Sequence, residues 1–187
     1  IPVHQCQVLV IGAGPGGLAA AEAAAQGGAR VTVLDERPQA GGQYFKQLAP
    51  SQRFSRPAAV DRQFAHGRTL IEGVRDLGVE MVGGATVWGA TRTDEGGVEV
   101  DVIREDRAER YHATQLIVAT GAFERGFPVP GWTLPGFMTT GAAQTLGRAY
   151  RVAPGSKVLI AGNGPLNLQV ACELALGGVE VVAVAEA

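Results

Sequence analysis

The stretch Gln7-Val8-Leu9-Val10-Ile11-Gly12-Ala13-Gly14-Pro15-Gly16-Gly17-Leu18 decides how this chain folds. Gln5 to Ile11 is a short apolar, β-branched run of the kind buried on both faces of a parallel sheet, and it stops at a glycine. After the glycine-rich turn, Leu18 to Gln26 is dominated by alanine, the strongest helix former, until Gly27-Gly28 ends the helix. Arg30 to Leu34 is β-rich again and runs into Asp35-Glu36. The order is strand, glycine turn, helix, strand, acid: a βαβ unit.

The same order returns without a gap at an offset of 150 residues. Gln7 to Gly12 falls on Lys157-Val158-Leu159-Ile160-Ala161-Gly162, while Gly14, Pro15 and Leu18 fall on Gly164, Pro165 and Leu168. Gly27-Gly28 falls on Gly177-Gly178, and Val31 to Glu36 (VTVLDE) on Val181 to Glu186 (VVAVAE). A single glycine motif is a weak signal; two in one register, each with its strand, helix and terminal acid, form a specific one. Glycine supplies 27 of 187 residues, about twice its usual share, and follows no Gly-X-Y period. It serves backbone geometry here, not a collagen or a linker.

That geometry suits a bound dinucleotide. Gly12 permits the tight turn out of the strand, Gly14 leaves room for a pyrophosphate that a Cβ would occupy, and Gly17 lets the helix pack closely on the strand. The first helix amides, beginning near Pro15 and Gly16, point at the phosphates and carry the positive end of the helix dipole. Glu36, 24 residues after Gly12, is placed to accept hydrogen bonds from both ribose hydroxyls of an adenosine, which favours a free 2′-hydroxyl. In the second copy Gly162, Gly164 and Glu186 hold the matching positions. Asn167 replaces its third glycine, so the helix must stand farther off or the side chain must point away.

Between the copies, residues 45 to 59 read as irregular loop, with Pro50 and Pro57. A helix is expected from Val60 to Leu77, because Val60, Phe64, Leu70, Ile71, Val74 and Leu77 fall largely on one face. Short β segments follow at Val79 to Val82, Ala85 to Arg92, Val98 to Arg104, Arg110 to His112 and Gln115 to Val118, with turns at 94–97 and 105–107. They form a meander returning to a buried strand that ends in Ala119-Thr120-Gly121. Residues 123–137, rich in proline and glycine, read as a crossover, and Thr139 to Tyr150 as one helix. The expected class is α/β, with one domain over 1–122, a linker over 123–137 and the start of a second domain over 138–187. Ala187 lies one position past the acid of the second unit, so the chain reads as part of a longer one.

Composition excludes several functions. The 16 basic and 18 acidic side chains leave no net field to recruit nucleic acid or an anionic membrane. No apolar run approaches the roughly 20 residues of a bilayer span, and the start at Ile1 shows no signal-peptide pattern. Cys6 and Cys172 stand far apart and outside any CxxC pair, so no disulfide framework or metal site is expected and a reducing cytoplasm is the default. His4, His66 and His112 are isolated and read as solvated or hydrogen-bonded, not as ligands.

Two such repeats, the first followed by Gly41-Gly42-Gln43 and a meander ending in Ala119-Thr120-Gly121, resemble the two-dinucleotide-binding-domain flavoproteins over essentially the whole chain. The resemblance implies a Rossmann-like, three-layer FAD-binding domain with a β-meander and the start of a Rossmann-like NAD(P)-binding domain. It implies that FAD meets Ile11, Gly12, Gly14, Pro15, Gly16, Gly17, Glu36 and Arg37 of the first unit. Gly41, Gly42 and Gln43 would line the flavin side, backbone near Thr86 and Val87 would meet the adenine, and Ala119, Thr120 and Gly121 would close over the cofactor. Gly162, Gly164 and Glu186 would face NAD(H) at the second repeat.

Val118 to Ala122 followed by Glu124-Arg125, Pro130-Gly131-Trp132-Thr133-Leu134-Pro135-Gly136, Thr139 to Leu146 (TTGAAQTL) and Gly162 to Leu166 are similar to a narrower group. These are the α-type subunits of bacterial opine oxidases, hydroxyproline and proline dehydrogenases, the cyanide-forming glycine dehydrogenase and sarcosine oxidase. Gly126 stands where that group has a proline, and Asn167 where it has a leucine or similar residue. Thioredoxin reductases share the architecture, but this chain reads Phe137-Met138-Thr139-Thr140-Gly141-Ala142 where their redox CxxC falls, which excludes a dithiol relay there.

The resemblance therefore implies an FAD-dependent oxidoreductase, an α-type subunit or domain that takes hydride from a C–H beside nitrogen in a small-molecule substrate. It further implies a partner oxidase subunit in a hetero-oligomer, in the cytoplasm or held at a membrane periphery through that partner. Two alternatives remain open: a non-catalytic dinucleotide-binding or scaffold module, and an NAD(P)H-dependent flavin reductase of the same fold. No general base is identified. Tyr44 and Lys46 follow the Gly-Gly-Gln turn and read equally as flavin neighbours or pocket wall. Trp88 and Trp132 are expected as packing anchors, and the arginines from Arg53 to Arg68 as a decorated loop and helix face or a subunit interface.

Overall fold

A computed structural model describes residues 1–49, 51, 62–162 and 164–186. Most of the loop expected over 45–59 and the helix start expected at Val60 fall outside these residues. The chain divides into two compact units, Ile1–Gln47 with Ser55–Gly121, and Leu48–Phe54 with Ala122–Ala187.

In the first unit, β1 (Val3–Ile11), α1 (Pro15–Gln26) and β2 (Val31–Asp35) form the βαβ unit. They are followed by α2 (Arg62–Asp76), β3 (Glu80–Gly83), β4 (Thr86–Arg92), β5 (Val98–Arg104) and β6 (Arg107–Val118). One sheet results, in the order β3-β2-β1-β6-β5-β4. The first four strands are parallel, and β6, β5 and β4 run antiparallel as the meander. The β5–β6 hairpin turns on Glu105 and Asp106, whose φ of 50° and 60° match the primed two-residue turns that suit strand twist.

Two apolar clusters lie on opposite faces of the parallel strands and define three layers. Val10, Ala13, Leu18, Ala21, Val31, Val33, Ile71 and Val74 join strands to helices. Cys6, Leu9, Leu34, Val100, Val102 and Tyr111 join strands to the meander. Leu9, Leu18 and Leu34 are fully buried, each contributing roughly 1.5–3 kcal/mol. The amides of Gln7 and Val8 both donate to Arg30 O at 3.1 Å, a bulge that reverses the strand's alternation. Cys6 and Leu9 therefore share the meander cluster, while Val8 and Val10 pack toward the helices.

The sequence pattern splits β6 into two segments, and the structure joins them. Ala113 and Thr114 fall between the two expected segments, yet β6 runs through them and pairs with β1 on both sides, from Val3↔Arg110 to Ile11↔Val118. Trp88, expected as a packing anchor, is 62% exposed. It occupies the register shift between Val87 and Gly89 on the edge strand β4, where a bulge re-aims the side chain outward. Trp132 is likewise half exposed.

The second unit repeats the βαβ segment of the first. It contains α3 (Thr140–Thr145), β7 (Lys157–Ala161), α4 (Pro165–Leu176) and β8 (Glu180–Ala185). The bounds of α4 are those of α1 moved by the 150-residue offset, and Gly28 and Gly178 end both helices at φ of 83° and 88°. The single helix expected over 139–150 instead widens into a π-helical turn at Leu146–Tyr150. Its carbonyls are engaged from outside the α pattern: Ala149 O accepts from Ala49 N and Leu146 O from Val152 N. No helix among the described residues is long and apolar enough to cross a membrane.

Candidate dinucleotide site

The C-terminal ends of β1, β2 and β6 lie side by side, the edge at which α/β sheets bind ligands. Gly12 N donates to Leu34 O at 2.7 Å and Ala119 N to Ile11 O at 2.8 Å, tying three strand ends together. Gly12 has φ +103°, and a Cβ there would lie 2.4 Å from Ala119 O and 3.3 Å from Thr120 Cα. A Cβ on Gly17 would lie 1.8 Å from Gly12 O. Both glycines are demanded by the protein's own packing, Gly17 by the close helix–strand approach.

Gly14 differs. Its φ of −77° and ψ of −178° suit any residue, and among the described residues the only atom within 4 Å of a built Cβ is Gly42 Cα at 3.9 Å. It is the N-cap of α1, no side chain caps the helix, and no acid occupies the first turn. Open space thus faces the positive end of a helix dipole, lined by the peptide groups of Pro15 and Gly16. These residues fit a pyrophosphate.

Two further loops converge there. Gly41 N donates to Ala13 O at 2.8 Å, and Gly42, at φ +61°, passes so close that its Cβ would lie 2.7 Å from Gly14 Cα. Asp35 was not among the expected site residues, yet its carboxylate accepts from Ala13 N at 2.6 Å and Arg37 N at 2.8 Å. It braces the glycine turn against the residues that follow β2. The acid pair at the end of β2 marked this position, but only the fold separates the two roles: Asp35 faces the loop, while Glu36 is exposed with no side-chain hydrogen bond among the described residues. Ala85 N donates to Asp35 O, which brings Thr86 and Val87 at the start of β4 beside this turn.

Of the expected residues, the first unit thus brings together Ile11, Gly12, Gly14, Pro15, Gly16, Gly17, Glu36, Arg37, Gly41, Gly42, Gln43, Thr86, Val87, Ala119, Thr120 and Gly121. Gly162, Gly164 and Glu186 belong to the second unit. There Asn167 accepts from Thr140 Oγ1 at 2.7 Å, and its Nδ2 lies 3.1 Å from where a Gly162 Cβ would stand. It fills the helix–strand crossing that Gly17 leaves tight in the first unit. The pairing of β7 with β8 slips by one residue after Val158, so Gly162 N donates to Ala185 O. Glu186 consequently stands level with Asp35, not with Glu36.

Both cysteines are free, and burial is the main cause that pushes the Cys6 thiol above its usual range. No group of three or more His, Cys, Asp or Glu residues that could hold a metal occurs among the described residues.

Residues 6–187 match the pyridine nucleotide-disulphide oxidoreductase family. An opine oxidase subunit of Agrobacterium tumefaciens (strain Ach5) is 39% identical over 92% of this chain and 35% of its own length. The HcnB subunit of hydrogen cyanide synthase from Pseudomonas protegens is 34% identical over 96% of this chain and 38% of its own length. The chain thus spans about a third of these relatives. Among solved structures, L-proline dehydrogenase from P. horikoshii superposes with a TM-score of 0.81 over 97% of this chain and 36% of its own, at 22% identity. The glycine turns, the three-layer sheet and the match along residues 6–187 agree: this chain belongs to the pyridine nucleotide-disulphide oxidoreductase family.

Proposed function

We propose that the chain is the FAD-holding part of an FAD-dependent oxidoreductase, an α-type subunit or domain of an amine or amino-acid dehydrogenase. The observation that carries this reading is Gly14, a glycine the protein's own packing does not require, facing open space at an uncapped helix N-terminus. Relatives named as opine oxidase and hydrogen cyanide synthase subunits support the substrate class and a partner subunit. Residues 1–122 would form the FAD domain, 123–137 the crossover and 138–187 the start of a domain for NAD(H), at work in the cytoplasm.

When bound, FAD supplies the hydride acceptor. The chain's own groups hold it: Gly14, Pro15 and Gly16 receive the pyrophosphate on a turn that Gly12 and Gly17 keep tight, Glu36 and Arg37 flank the adenosine ribose, and backbone at Thr86 and Val87 meets the adenine. Gly41, Gly42 and Gln43 approach from one side and Ala119, Thr120 and Gly121 from the other. Asp35 keeps the glycine turn in place. For the second unit, Asn167 at the helix–strand crossing favours a weak or altered nucleotide site.

The test is reconstitution with FAD followed by absorbance spectroscopy and dye reduction with proline, hydroxyproline, glycine, sarcosine or an opine. A bound flavin spectrum and bleaching by one of these substrates are expected. A protein that stays colourless after reconstitution would overturn the reading. Bleaching by NADH alone would favour the flavin reductase alternative.

A further inference from the structure

Lys46 is 4% exposed, and its Nζ donates to Gln43 Oε1 at 3.1 Å. A buried ammonium is costly unless hydrogen-bonded, and Gln43 supplies one of its acceptors. The loop that carries both residues is fixed at several points. Gly41 N donates to Ala13 O, Phe45 N donates to Gly41 O, and Gln47 Nε2 donates to Phe45 O and Phe64 O. Phe45 packs so closely on Gly67 of α2 that a Cβ there would lie 2.4 Å from Phe45 Cβ. Gln43 therefore leaves a rigid backbone one residue from Gly42, which touches the Gly14 cradle.

The carboxamide of Gln43 has one acceptor branch and one donor branch, and an ammonium only donates. The branch facing Lys46 must be Oε1, which fixes the amide's orientation by chemistry. Gln43 is exposed and makes no other side-chain hydrogen bond among the described residues. Its Nε2 is thus left as a donor group.

We infer that Lys46 is a positioning residue that turns the Nε2 donor branch of Gln43 toward an acceptor oxygen of the bound dinucleotide. This rests on the FAD reading above. The acceptor is either a pyrophosphate oxygen or an isoalloxazine carbonyl, and both offer the lone pairs this geometry requires. The pair makes a cycle: Lys46 acts through Gln43, so removing Gln43 removes the effect of Lys46.

The experiment is a double-mutant cycle on binding, read by flavin fluorescence for FAD and by calorimetry for ADP, with thermal unfolding of the ligand-free protein alongside. Gln43→Ala is expected to weaken FAD about 5- to 10-fold, Lys46→Met by a similar factor, and the double variant by no more than either alone. Lys46→Arg, which keeps the donor, should retain most of the affinity. A loss shared by ADP assigns the contact to the pyrophosphate, and a loss confined to FAD assigns it to the isoalloxazine. Wild-type affinity in Gln43→Ala, or fully additive losses in the double variant, would overturn the inference while leaving the FAD reading intact. If Lys46→Met fails to fold, Gln43→Ala and Lys46→Arg still decide it. Absence of FAD binding by the unaltered protein would instead overturn the reading beneath it.

Discussion

Gly14→Ala and Gly17→Ala are neighbouring changes in one motif, and the structure predicts opposite phenotypes for them. At Gly17 the added methyl would lie 1.8 Å from Gly12 O and 3.0 Å from Gly12 C, both backbone atoms that cannot swing aside. Separating α1 from β1 costs about 3 kcal/mol or more, which lowers the unfolding midpoint by roughly 6–12 °C. At Gly14 the methyl meets nothing among the described residues closer than Gly42 Cα at 3.9 Å, in a backbone conformation open to any residue. Alanine is a poorer N-cap than glycine by about 0.5–1 kcal/mol, but it also restricts the unfolded chain by about 0.4–1 kcal/mol. The net change is near zero, and the midpoint should move by less than ~3 °C. The methyl does occupy the space assigned to the pyrophosphate. A loss of about 2–3 kcal/mol in FAD binding, roughly 30- to 150-fold in Kd, is expected from displacing that group. Differential scanning fluorimetry of the ligand-free variants and FAD titration followed by flavin fluorescence measure the two quantities. Gly14→Ala binding FAD within threefold of the unaltered protein, or losing as much stability as Gly17→Ala, would refute the argument that this glycine serves a ligand.

Asp35→Ala leaves the amides of Ala13 and Arg37 without their acceptor and should cost about 2 kcal/mol in chemical denaturation, with weaker FAD retention as the glycine turn loosens. Asp35→Asn, which keeps one acceptor oxygen, should fall between. Glu36→Ala should leave stability unchanged, since the side chain is exposed, but weaken binding of FAD and ADP alike; unchanged affinity would remove Glu36 from the ribose contact. Tyr111 is buried, and its phenol is pushed up to about 12, first by burial and then by the negative charge of Glu109, whose carboxylate it also hydrogen-bonds. The folded state holds this proton more tightly than the unfolded one, so the contribution is whole below about pH 10 and lost as pH rises toward 12. Urea unfolding should show a fall on the order of 2 kcal/mol across that window, and Tyr111→Phe should lack it.

The fold was legible because a βαβ unit announces itself locally. The apolar run of β1, the glycines, the alanine helix and the acid pair lie within about 30 residues, and their return at an offset of 150 removed the ambiguity of a single motif. The bounds of β5 and β7 also follow from the sequence alone, since each is a short β-rich run flanked by turn signals. The continuity of β6 was not legible. Ala113 and Thr114 look like a break, and only pairing with β1, about 107 residues earlier, carries the strand through. The π-helical turn at Leu146–Tyr150 was hidden for the same reason, because Ala49 reaches its carbonyl from a hundred residues away.

The order of amino acids alone set the spacing of groups around a turn: which glycines precede which helix, where an acid follows, and that the pattern occurs twice. Spacing along a chain is local, and backbone sterics translate it directly into strand, turn and helix. Packing in three dimensions decided what each of those groups touches. Gly12 and Gly17 are glycine because β6 and β1 press on them, whereas Gly14 is glycine beside empty space. Asp35 turned inward to two amides and left Glu36 facing solvent. A one-residue slip between β7 and β8 set Glu186 level with Asp35. Lys46 fixed the amide of Gln43 from below the surface. Each of these depends on atoms brought within a few ångströms by packing, a relation that no spacing within a single segment encodes.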